Sequence, residues 1–261
     1  MSVKLPYNRK MVLPLFKSHY SIGRSVLTLE KPEDAEANGP ASIIDICKKN
    51  RLKELFLVED SMGGFLQGYI NSAEAGINFR FGLRLTICDD MLQKNEDSIL
   101  RSSKYIIFAN NRDGYQRLIK INTKASQDGF YYVPRIDFKT LRTLWNDKDL
   151  SLCVPFYDSF LHKNALHSHL CVPEFNFTNP IFFVEDNDLY IDQILSKHVE
   201  KHCKEGCESV KVKSIFYEER KDFKPYLTFR CINNRSSLDK PQLDHMSSPE
   251  FCFESWKEQN G

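Results

Sequence analysis

Two groups of histidine and cysteine residues carry the side chains that zinc prefers in proteins. The first group consists of His162, His167, His169 and Cys171. Its spacings match no compact pair of two-ligand half-sites, and the segment before Pro173 has the composition of a loop. We therefore interpret these residues as exposed or structural side chains and not as a metal centre.

The second group lies on the stretch HVEKHCKEGC and contains His198, His202, Cys203 and Cys207. The two histidines are four residues apart, so on a helix they would share one face and could bind one ion. The cysteines are separated by three residues, which is unusual for a zinc knuckle, and no second half-site follows at the usual distance. A helix end with cationic side chains near Gly206 explains these residues without a metal.

A pair of carboxylates ends one apolar segment, where Glu59 and Asp60 precede Ser61, Met62 and a glycine pair. In barrels of alternating strands and helices, carboxylates at the C-terminal ends of strands often carry the chemistry. The glycines also permit a tight turn into a following helix. Acids at strand ends are frequent turn residues as well, so the residues alone leave a catalytic role and a turn role open.

Familiar short motifs of catalysis are missing from the sequence: it has no GxSxG, Walker A, HExxH or GxGxxG pattern. The aromatic run Phe130, Tyr131 and Tyr132 beside Arg135 could stack on nucleic-acid bases. Because no basic face surrounds this run, we interpret it as part of a barrel surface.

Composition is that of an ordinary globular chain. The protein has 261 residues, of which 41% are hydrophobic and 27% charged, so it can bury a substantial core. Thirty-six Lys and Arg residues against 35 Asp and Glu residues give a formal charge of +1. This balance provides no overall attraction to nucleic acid or to an anionic membrane.

The sequence predicts a cytosolic protein. No run approaches the roughly 18 to 20 apolar residues that cross a bilayer, and the N-terminus has too short and interrupted an apolar stretch for a signal peptide. The eight cysteines, at positions 47, 88, 153, 171, 203, 207, 231 and 252, are scattered and mostly lie in apolar segments. We expect them to be reduced thiols of the core.

Apolar runs of strand length alternate with amphipathic stretches about seven times. The runs are Val12 to Phe16, Leu55 to Glu59, Ile77 to Thr86, Tyr105 to Ala109, Leu150 to Phe156, Ile181 to Glu185 and Val210 to Tyr217. Several are continuously apolar, which is typical of parallel strands covered on both faces. The predicted architecture is an α/β fold, a closed or nearly closed (β/α) barrel, followed by an irregular extension from residue 235.

Four segments, in this order along the chain, carry a family likeness. The first segment, at 17–23, reads KSHYSIG and is similar to an H-S-x-Y-S opening. The second segment is similar to a strand with T-D-H, followed by a helix and A-G-I-K-P-I-x-G; it consists of LFLVEDSMGGF at 55–65 and AEAGINFRFG at 73–82. The longest match, at 105–141, is similar to a buried strand, N-x-x-G-Y-x-x-L and then G-F-Y-Y-x-P-R-I-D. Residues 232–241 and 250–255 resemble T-G-K-T-L-D-D-P and Q-F-Y-L-K-S.

These segments resemble the PHP (polymerase and histidinol phosphatase) domain at the N-terminus of bacterial DNA polymerase III alpha subunits. The resemblance implies a seven-fold (β/α) barrel over residues 1–234. It also implies that residues 235–261 form a short irregular C-terminal extension leading towards the point where a polymerase palm would start.

In family members with an intact site, His, Asp, Glu and Cys at strand ends hold two or three metal ions that support phosphoester or exonuclease chemistry. The resemblance assigns a different set of residues to this pocket here. They are Leu15, Lys17, Glu59, Asp60, Ser61, Arg84, Phe156, Ser214, Phe216 and Tyr226. Asp60 alone matches a family ligand, and His19 lies two residues beyond the lost opening pair. Lys17 and Arg84 would place positive charge where metal should bind. We therefore expect no metal, no cofactor and no catalytic residue. We expect Asp60 to form an ionic group with Lys17 or Arg84 instead.

The resemblance therefore implies a metal-free PHP domain with a structural and interaction role in a DNA polymerase III alpha-type replicase. Its implied partners are a separately encoded polymerase palm, thumb and fingers chain, as in a split polymerase of a bacteriophage, and a proofreading exonuclease. Contact with DNA would be indirect. One alternative is a phosphoesterase or 3′–5′ exonuclease with a site rebuilt from Glu59, Asp60, His19 and the later histidines. Another is a free-standing binding protein on the same scaffold.

Overall fold

The computed structural model describes residues 11–35, 39–166, 170–203, 206–238 and 248–260, and strands alternate with helices along these ranges. The strands are β1 (Leu13–Phe16), β2 (Glu54–Glu59), β3 (Asn78–Cys88), β4 (Ser103–Ala109), β5 (Arg135–Asp137), β6 (Leu150–Val154), β7 (Ile181–Val184) and β8 (Glu208–Ile215). The helices are α1 (Ile43–Lys49), α2 (Phe65–Glu74), α3 (Glu96–Leu100), α4 (Arg112–Gln127), α5 (Phe138–Leu144), α6 (Phe160–Leu166), α7 (Tyr190–Cys203), α8 (Phe223–Asn234) and α9 (Phe253–Asn260). A short 3-10 helix, Arg220–Asp222, precedes α8.

Hydrogen bonds join the strands in the order β2, β1, β8, β7, β6, β4 and β3, and a further pairing of β2 with β3 closes this ring of seven strands. The short strand β5 pairs in parallel with the last residues of β3. The fold is the α/β barrel that the alternation of apolar runs and amphipathic stretches predicts.

One strand corrects the expectation of an all-parallel sheet. Strand β4 runs antiparallel both to β3 and to β6, so the barrel is mixed. The apolar run YIIFA at 105–109 in β4 is buried almost throughout. Burial on both faces removes the alternation of polar and apolar residues whatever the direction of the strand, and the sequence pattern therefore could not reveal this reversal.

Contacts group the described residues into two compact units. The β1–β2 unit consists of residues 11–81, 185–192 and 211–260, and the β4–β6 unit consists of residues 82–184 and 193–210 without the gaps named above. Leu15, Leu57 and Ile215 are fully or almost fully buried in the first unit, and Ile107 and Leu152 in the second. Each unit thus has an apolar core of its own.

Helix α4 explains the N-x-x-G-Y pattern of the longest matching segment. The Asn111 side chain caps the helix by accepting a hydrogen bond from the Gly114 N–H at 2.8 Å. A β-carbon on Gly114 would lie 2.1 Å from the main-chain oxygen of Asp149. Glycine is therefore needed because the first turn of α4 lies directly against the start of β6.

The C-terminal segment is irregular only in part, because it ends in helix α9. The Trp256 indole donates a hydrogen bond to the main-chain oxygen of Val12 at 2.7 Å, and the Asn260 side chain accepts one from the Val12 N–H at 2.8 Å. Phe253 stacks against Phe16 with ring centroids 5.9 Å apart. Aromatic rings thus pack this segment against the barrel strand β1, and its helical form was missed because one short turn of apolar residues gives little periodicity.

Arg220 binds three carboxylates of this segment. Its guanidinium contacts Glu250 at 2.9 Å, Glu258 at 2.6 Å and Glu254 at 3.4 Å. Hydrogen bonds from Arg220 lower the pKa of Glu250 to about 2. These contacts fix α9 to the 3-10 helix that carries Arg220.

We expect Arg220→Gln to lower the free energy of unfolding by about 1–2 kcal/mol at pH 7, because several charge-assisted hydrogen bonds are lost together. Since the pKa of Glu250 is lower in the folded state than in the unfolded chain, this stabilisation is fully present above about pH 4.5 and is lost as the pH falls towards 2. Urea unfolding of both proteins between pH 7 and pH 3 measures this: the difference between them should shrink with acid. Lys221→Gln is the matched control because the exposed Lys221–Glu219 pair is screened by solvent and its loss should leave the stability almost unchanged.

Candidate functional site

Strand β2 delivers two carboxylates to the position where barrel folds place their chemistry. Glu59 is the last residue of β2 and is completely buried, whereas Asp60 follows the strand and is partly exposed. A turn over residues 61–64 leads directly into α2. The predicted strand end is confirmed, and it turns one acid into the protein and the other towards its surface.

Lys17, which follows β1, lies beside these acids. Its ammonium group is 3.2 Å from an Asp60 carboxylate oxygen, and its side chain is only 7% exposed. The same nitrogen donates a hydrogen bond to the Ser21 hydroxyl at 3.3 Å. Of the two ionic groups considered for Asp60, the structure contains the one with Lys17.

Two serines complete what we call the Lys17–Asp60 cluster: Lys17, Ser18, Ser21, Glu59 and Asp60. The Ser18 N–H donates to one Glu59 carboxylate oxygen at 2.8 Å, and the Ser21 hydroxyl donates to the other. The Asp60 N–H in turn donates to the Ser21 hydroxyl oxygen at 2.9 Å. Both oxygens of Glu59 therefore already accept hydrogen bonds from the protein.

Burial is the main influence on the ionisation of Glu59. It raises the pKa of this carboxyl group, while Lys17 and the hydrogen bonds from Ser18 and Ser21 act in the opposite direction. A divalent cation at this place would have to approach Asp60 beside an ammonium ion and would find the Glu59 oxygens engaged. A catalytic site with several metal ions needs several carboxylate and imidazole ligands. The residues of the Lys17–Asp60 cluster therefore do not fit such a site.

Arg84, in β3, belongs to the β4–β6 unit and has a carboxylate neighbour there. Its guanidinium donates to the Asp158 carboxylate, in the loop between β6 and α6. Asp158 has a positive φ of 61°, and its N–H donates to His162 Nδ1 at 3.2 Å. The sequence analysis considered an ionic group of Arg84 with Asp60. The structure shows an ion pair of Arg84 with Asp158, which the sequence did not indicate.

Aromatic and aliphatic side chains occupy several of the other predicted pocket positions. Leu15 pairs in register with Ser214 across β1 and β8, and Phe216 stacks on Tyr226 with centroids 5.9 Å apart. Phe156, in the other unit, is buried against Tyr157. Among these predicted positions, the side chains of Leu15, Phe156 and Phe216 offer no lone pair for a metal, and Tyr226 offers only its hydroxyl. Ser61 is exposed, and its hydroxyl accepts a hydrogen bond from Gly63.

A second buried carboxylate, Glu185, was missed by sequence reasoning. It follows β7, and its carboxylate accepts hydrogen bonds from the Ser214 N–H at 3.0 Å, the Ser214 hydroxyl at 2.8 Å and the Asn187 side chain at 3.0 Å. Burial raises the pKa of Glu185 and lowers that of the neighbouring buried Lys213. The signal was present: V-E-D ends the apolar segment at Val184 as it does at Val58.

Two histidines of the predicted groups make contacts within the protein. His162 accepts the Asp158 hydrogen bond, and His202 packs against the rings of Phe160 and Phe182 at 5.7 and 5.0 Å. His167 and His169 lie outside the described residues. In the described part of the chain, no group of three or more His, Cys, Asp or Glu side chains is arranged to hold a metal ion.

Arg135 connects the predicted aromatic run to the interior of the β4–β6 unit. It is 1% exposed and donates hydrogen bonds to the Ser98 hydroxyl at 2.7 Å and to the main-chain oxygens of Gln93 and Gly129 at 3.0 and 3.3 Å. Its guanidinium carbon lies 5.2 Å from the centre of the Tyr131 ring. The guanidinium is thus committed to internal contacts and is not presented to a nucleic acid.

None of the helices in the described ranges is both long and apolar enough to cross a bilayer.

Comparison with known proteins finds sequence similarity over part of the chain. Residues 34–160 match the family model of the PHP domain. The chain is 25% identical over 194 residues to the DNA polymerase III subunit alpha of Treponema pallidum (strain Nichols), an alignment that covers 70% of this chain and 16% of the relative. It is 31% identical over 106 residues to the corresponding subunit of Borreliella burgdorferi, which is 38% of this chain and 9% of that protein. For Helicobacter pylori (strain J99) the identity is 33% over 99 residues, 35% of this chain and 8% of the relative.

The chain thus spans at most 16% of the length of these relatives. Its fold is an α/β barrel, and its sequence is similar to the PHP domain and to part of DNA polymerase III alpha subunits.

Proposed function

We propose that this protein is a PHP domain with a lost metal site, acting as a structural and interaction module of a DNA polymerase III alpha-type replicase. Its contribution to DNA synthesis is to bind a polymerase palm, thumb and fingers chain, and a proofreading exonuclease is a further candidate partner. DNA is contacted through these partners. In this assignment residues 1–234 form the PHP barrel and residues 235–261 form an extension towards the polymerase.

The observation that carries this assignment is the Lys17–Asp60 ion pair. The nitrogen-to-oxygen distance is 3.2 Å and the lysine side chain is 7% exposed. A buried ammonium ion in contact with the carboxylate takes the place of a cation and opposes the approach of a second one. Loss of metal chemistry leaves the fold intact, because the contacts of the cluster are made within the protein.

The near-neutral charge of the chain supports a role through protein partners. A formal charge of +1 over 261 residues gives little of the salt-dependent attraction on which sequence-independent DNA binding rests. A module that acts by contacting another protein has no need of a basic surface.

The direct test is complex formation with the polymerase chain encoded in the same genome. We expect the two purified proteins to elute together as a complex of one copy each in size-exclusion chromatography with light scattering, with a dissociation constant in the micromolar range or tighter. We also expect the complex to extend a primed DNA template for longer at elevated temperature than the polymerase chain alone. No association at concentrations of tens of micromolar would contradict the proposed function.

A further inference from the structure

Two of the eight cysteines lie apart from the core that the sequence predicts for these thiols. Six cysteines are buried: Cys47, Cys88, Cys153, Cys171, Cys231 and Cys252. Cys203 and Cys207 are only partly buried, so reagents dissolved in water can reach their sulfur atoms. They are also four residues apart in the sequence. The two most accessible thiols of the protein therefore lie at one place, the connection between α7 and β8.

A turn at this connection brings the two cysteines together. Cys203 is the last residue of α7, and Cys207 directly precedes the first residue of β8. The Gly206 N–H donates a hydrogen bond to the main-chain oxygen of Cys203 at 3.0 Å. A turn closed in this way holds its first and fourth Cα atoms within about 7 Å, and Cys207 is the next residue. Because a disulfide joins residues whose Cα atoms are about 4.4–6.8 Å apart, the turn places the two sulfur atoms within bonding reach.

Packed elements hold both sides of this turn. On the α7 side, the centre of the His202 ring lies 5.7 Å from that of Phe160 and 5.0 Å from that of Phe182. On the other side the chain enters β8, which is a strand of the barrel. The main chain at both cysteines is therefore already ordered, and joining the two sulfur atoms costs little further conformational entropy.

The thiol groups of this pair also interact electrostatically. Partial burial raises the pKa of the Cys203 thiol, and the neighbouring Cys207 raises it further. Among the buried cysteines, burial raises the pKa of Cys47 to about 12 and that of Cys88 to about 11. Since the thiolate is the reactive form, these buried thiols are inert near neutral pH. The exposed pair is reachable, and its reaction should become faster as the pH rises from 7 to about 9.

A metal ion accounts less well for this pair than oxidation does. Structural zinc sites use four ligands, and no group of three or more His, Cys, Asp or Glu side chains within the described ranges is arranged to hold an ion. His202, which is next to Cys203 in the sequence, packs against two phenylalanine rings. Two neighbouring thiols without such a ligand group have the chemistry of a dithiol and disulfide couple.

We propose that Cys203 and Cys207 form a reversible redox site, in which a low-molecular-weight disulfide such as oxidised glutathione converts the two thiols to a Cys203–Cys207 disulfide. The thiolate of one cysteine attacks oxidised glutathione and breaks its sulfur–sulfur bond, so that a mixed disulfide forms and one glutathione thiolate leaves. The thiolate of the other cysteine then attacks the protein sulfur and displaces the second glutathione thiolate.

This exchange balances without any further reactant. Two cysteine thiols are oxidised, one molecule of oxidised glutathione is reduced, and the two thiol protons end on the two glutathione molecules. The product ties the C-terminal end of α7 to the start of β8. The site is independent of the proposed function, because it needs no polymerase partner.

The test uses the folded protein and a readout that the sequence supplies. Trypsin cleaves after Lys204, which puts Cys203 in the peptide 202–204 and Cys207 in the peptide 205–211. A disulfide between the two cysteines therefore links two peptides into one product of defined mass. The protein is incubated with an excess of oxidised glutathione at about pH 8. The remaining thiols are then blocked with iodoacetamide in urea, and the tryptic peptides are identified by mass spectrometry.

We expect the linked peptides to be at least about tenfold more abundant than any mixed disulfide with glutathione, because the second thiol attacks within the same molecule. The six buried cysteines should stay reduced, and dithiothreitol should restore both thiols of the pair. The matched variants Cys203→Ser and Cys207→Ser should instead retain glutathione on the cysteine that is left.

Three outcomes would overturn the redox site. The first is a pair of mixed disulfides without the linked peptides. The second is a pair that stays reduced in the folded protein while the same treatment oxidises the protein unfolded in urea. The third is oxidation of the buried cysteines as fast as that of Cys203 and Cys207, which would show that the folded structure does not select this pair.

Discussion

Replacing Lys17 with Met is expected to lower the free energy of unfolding by about 3 kcal/mol at pH 7, because it leaves the carboxylates of the Lys17–Asp60 cluster without their ammonium neighbour. Lys17 is almost fully buried and lies 3.2 Å from Asp60. It also favours the charged form of Glu59, whose pKa burial raises. Removing one partner of a buried pair costs more than the pair contributes, since the other charge stays in a poorly solvated place.

The pH dependence of this loss has a definite sign. Without Lys17, the pKa of Glu59 in the folded state, which burial already raises, rises further above that of the unfolded chain. A carboxyl group whose pKa is raised on folding weakens the fold above its unfolded pKa, and this penalty disappears as the pH falls and the group is protonated. The difference between Lys17→Met and the unaltered protein should therefore be largest at pH 7 and smallest near pH 4.5 in urea unfolding.

A double-substitution cycle separates the ion pair from simple packing. Lys17→Met combined with Asp60→Asn should recover about 1 kcal/mol or more relative to Lys17→Met alone, because the uncompensated charge at Asp60 is removed as well. Strict additivity of the two single substitutions would show that Lys17 and Asp60 are not coupled. Such additivity would contradict the interpretation that an ion pair of Lys17 and Asp60 organises this site.

The second large effect concerns Arg135 in the β4–β6 unit. We expect Arg135→Ala to lower the free energy of unfolding by about 4 kcal/mol, because it empties a buried volume and leaves the Ser98 hydroxyl and two main-chain oxygens without their donor. Arg135→Lys should recover only part of this loss, since an ammonium group cannot reproduce the planar fork of donors.

Urea unfolding measures both Arg135 variants, and Arg142→Ala provides the control. Arg142 is exposed on the following helix, so its truncation should change stability by less than about 0.5 kcal/mol. A loss of under 1 kcal/mol in Arg135→Ala would mean that water or a rearranged loop satisfies the three acceptors.

Arg135 also explains why the longest matching segment is so similar to the PHP family although the predicted pocket differs. Arg135 joins three chain segments, and the Asp137 side chain caps α5 through the Thr140 N–H at 2.7 Å. Gly129 lies so close to the Arg135 carbonyl that a β-carbon would approach it to 1.9 Å. These residues have structural tasks that do not depend on metal.

The sequence predicted the seven strands of the ring, alternating with amphipathic stretches, because their apolar patterns reflect burial directly. It did not predict α3 and β5, which have five and three residues and are too short for a periodic pattern. The direction of β4 could not be predicted for a different reason. A strand buried on both faces has the same continuously apolar sequence whether it runs parallel or antiparallel to its neighbours.

For the candidate site, the sequence placed Glu59 and Asp60 at a strand end, and the family resemblance brought Lys17 next to them. The sequence did not identify the partner of Arg84. Asp158 contacts Arg84 from a turn in which its own φ is positive, and no local sequence pattern predicts this turn. Glu185 could have been found by the rule that selected Glu59, since each acid directly follows a Val at the end of an apolar run of the sequence.

The most direct test of the proposed loss of the metal site is the metal content of the purified protein after incubation with Mn²⁺ and Zn²⁺ and removal of unbound ions. Elemental analysis should find well below one metal ion per chain, and a labelled oligonucleotide incubated with the protein and Mn²⁺ should stay intact. One or more tightly bound ions per chain, together with oligonucleotide hydrolysis that Asp60→Ala abolishes, would contradict the proposed loss of the site and identify the protein as a metal-dependent nuclease.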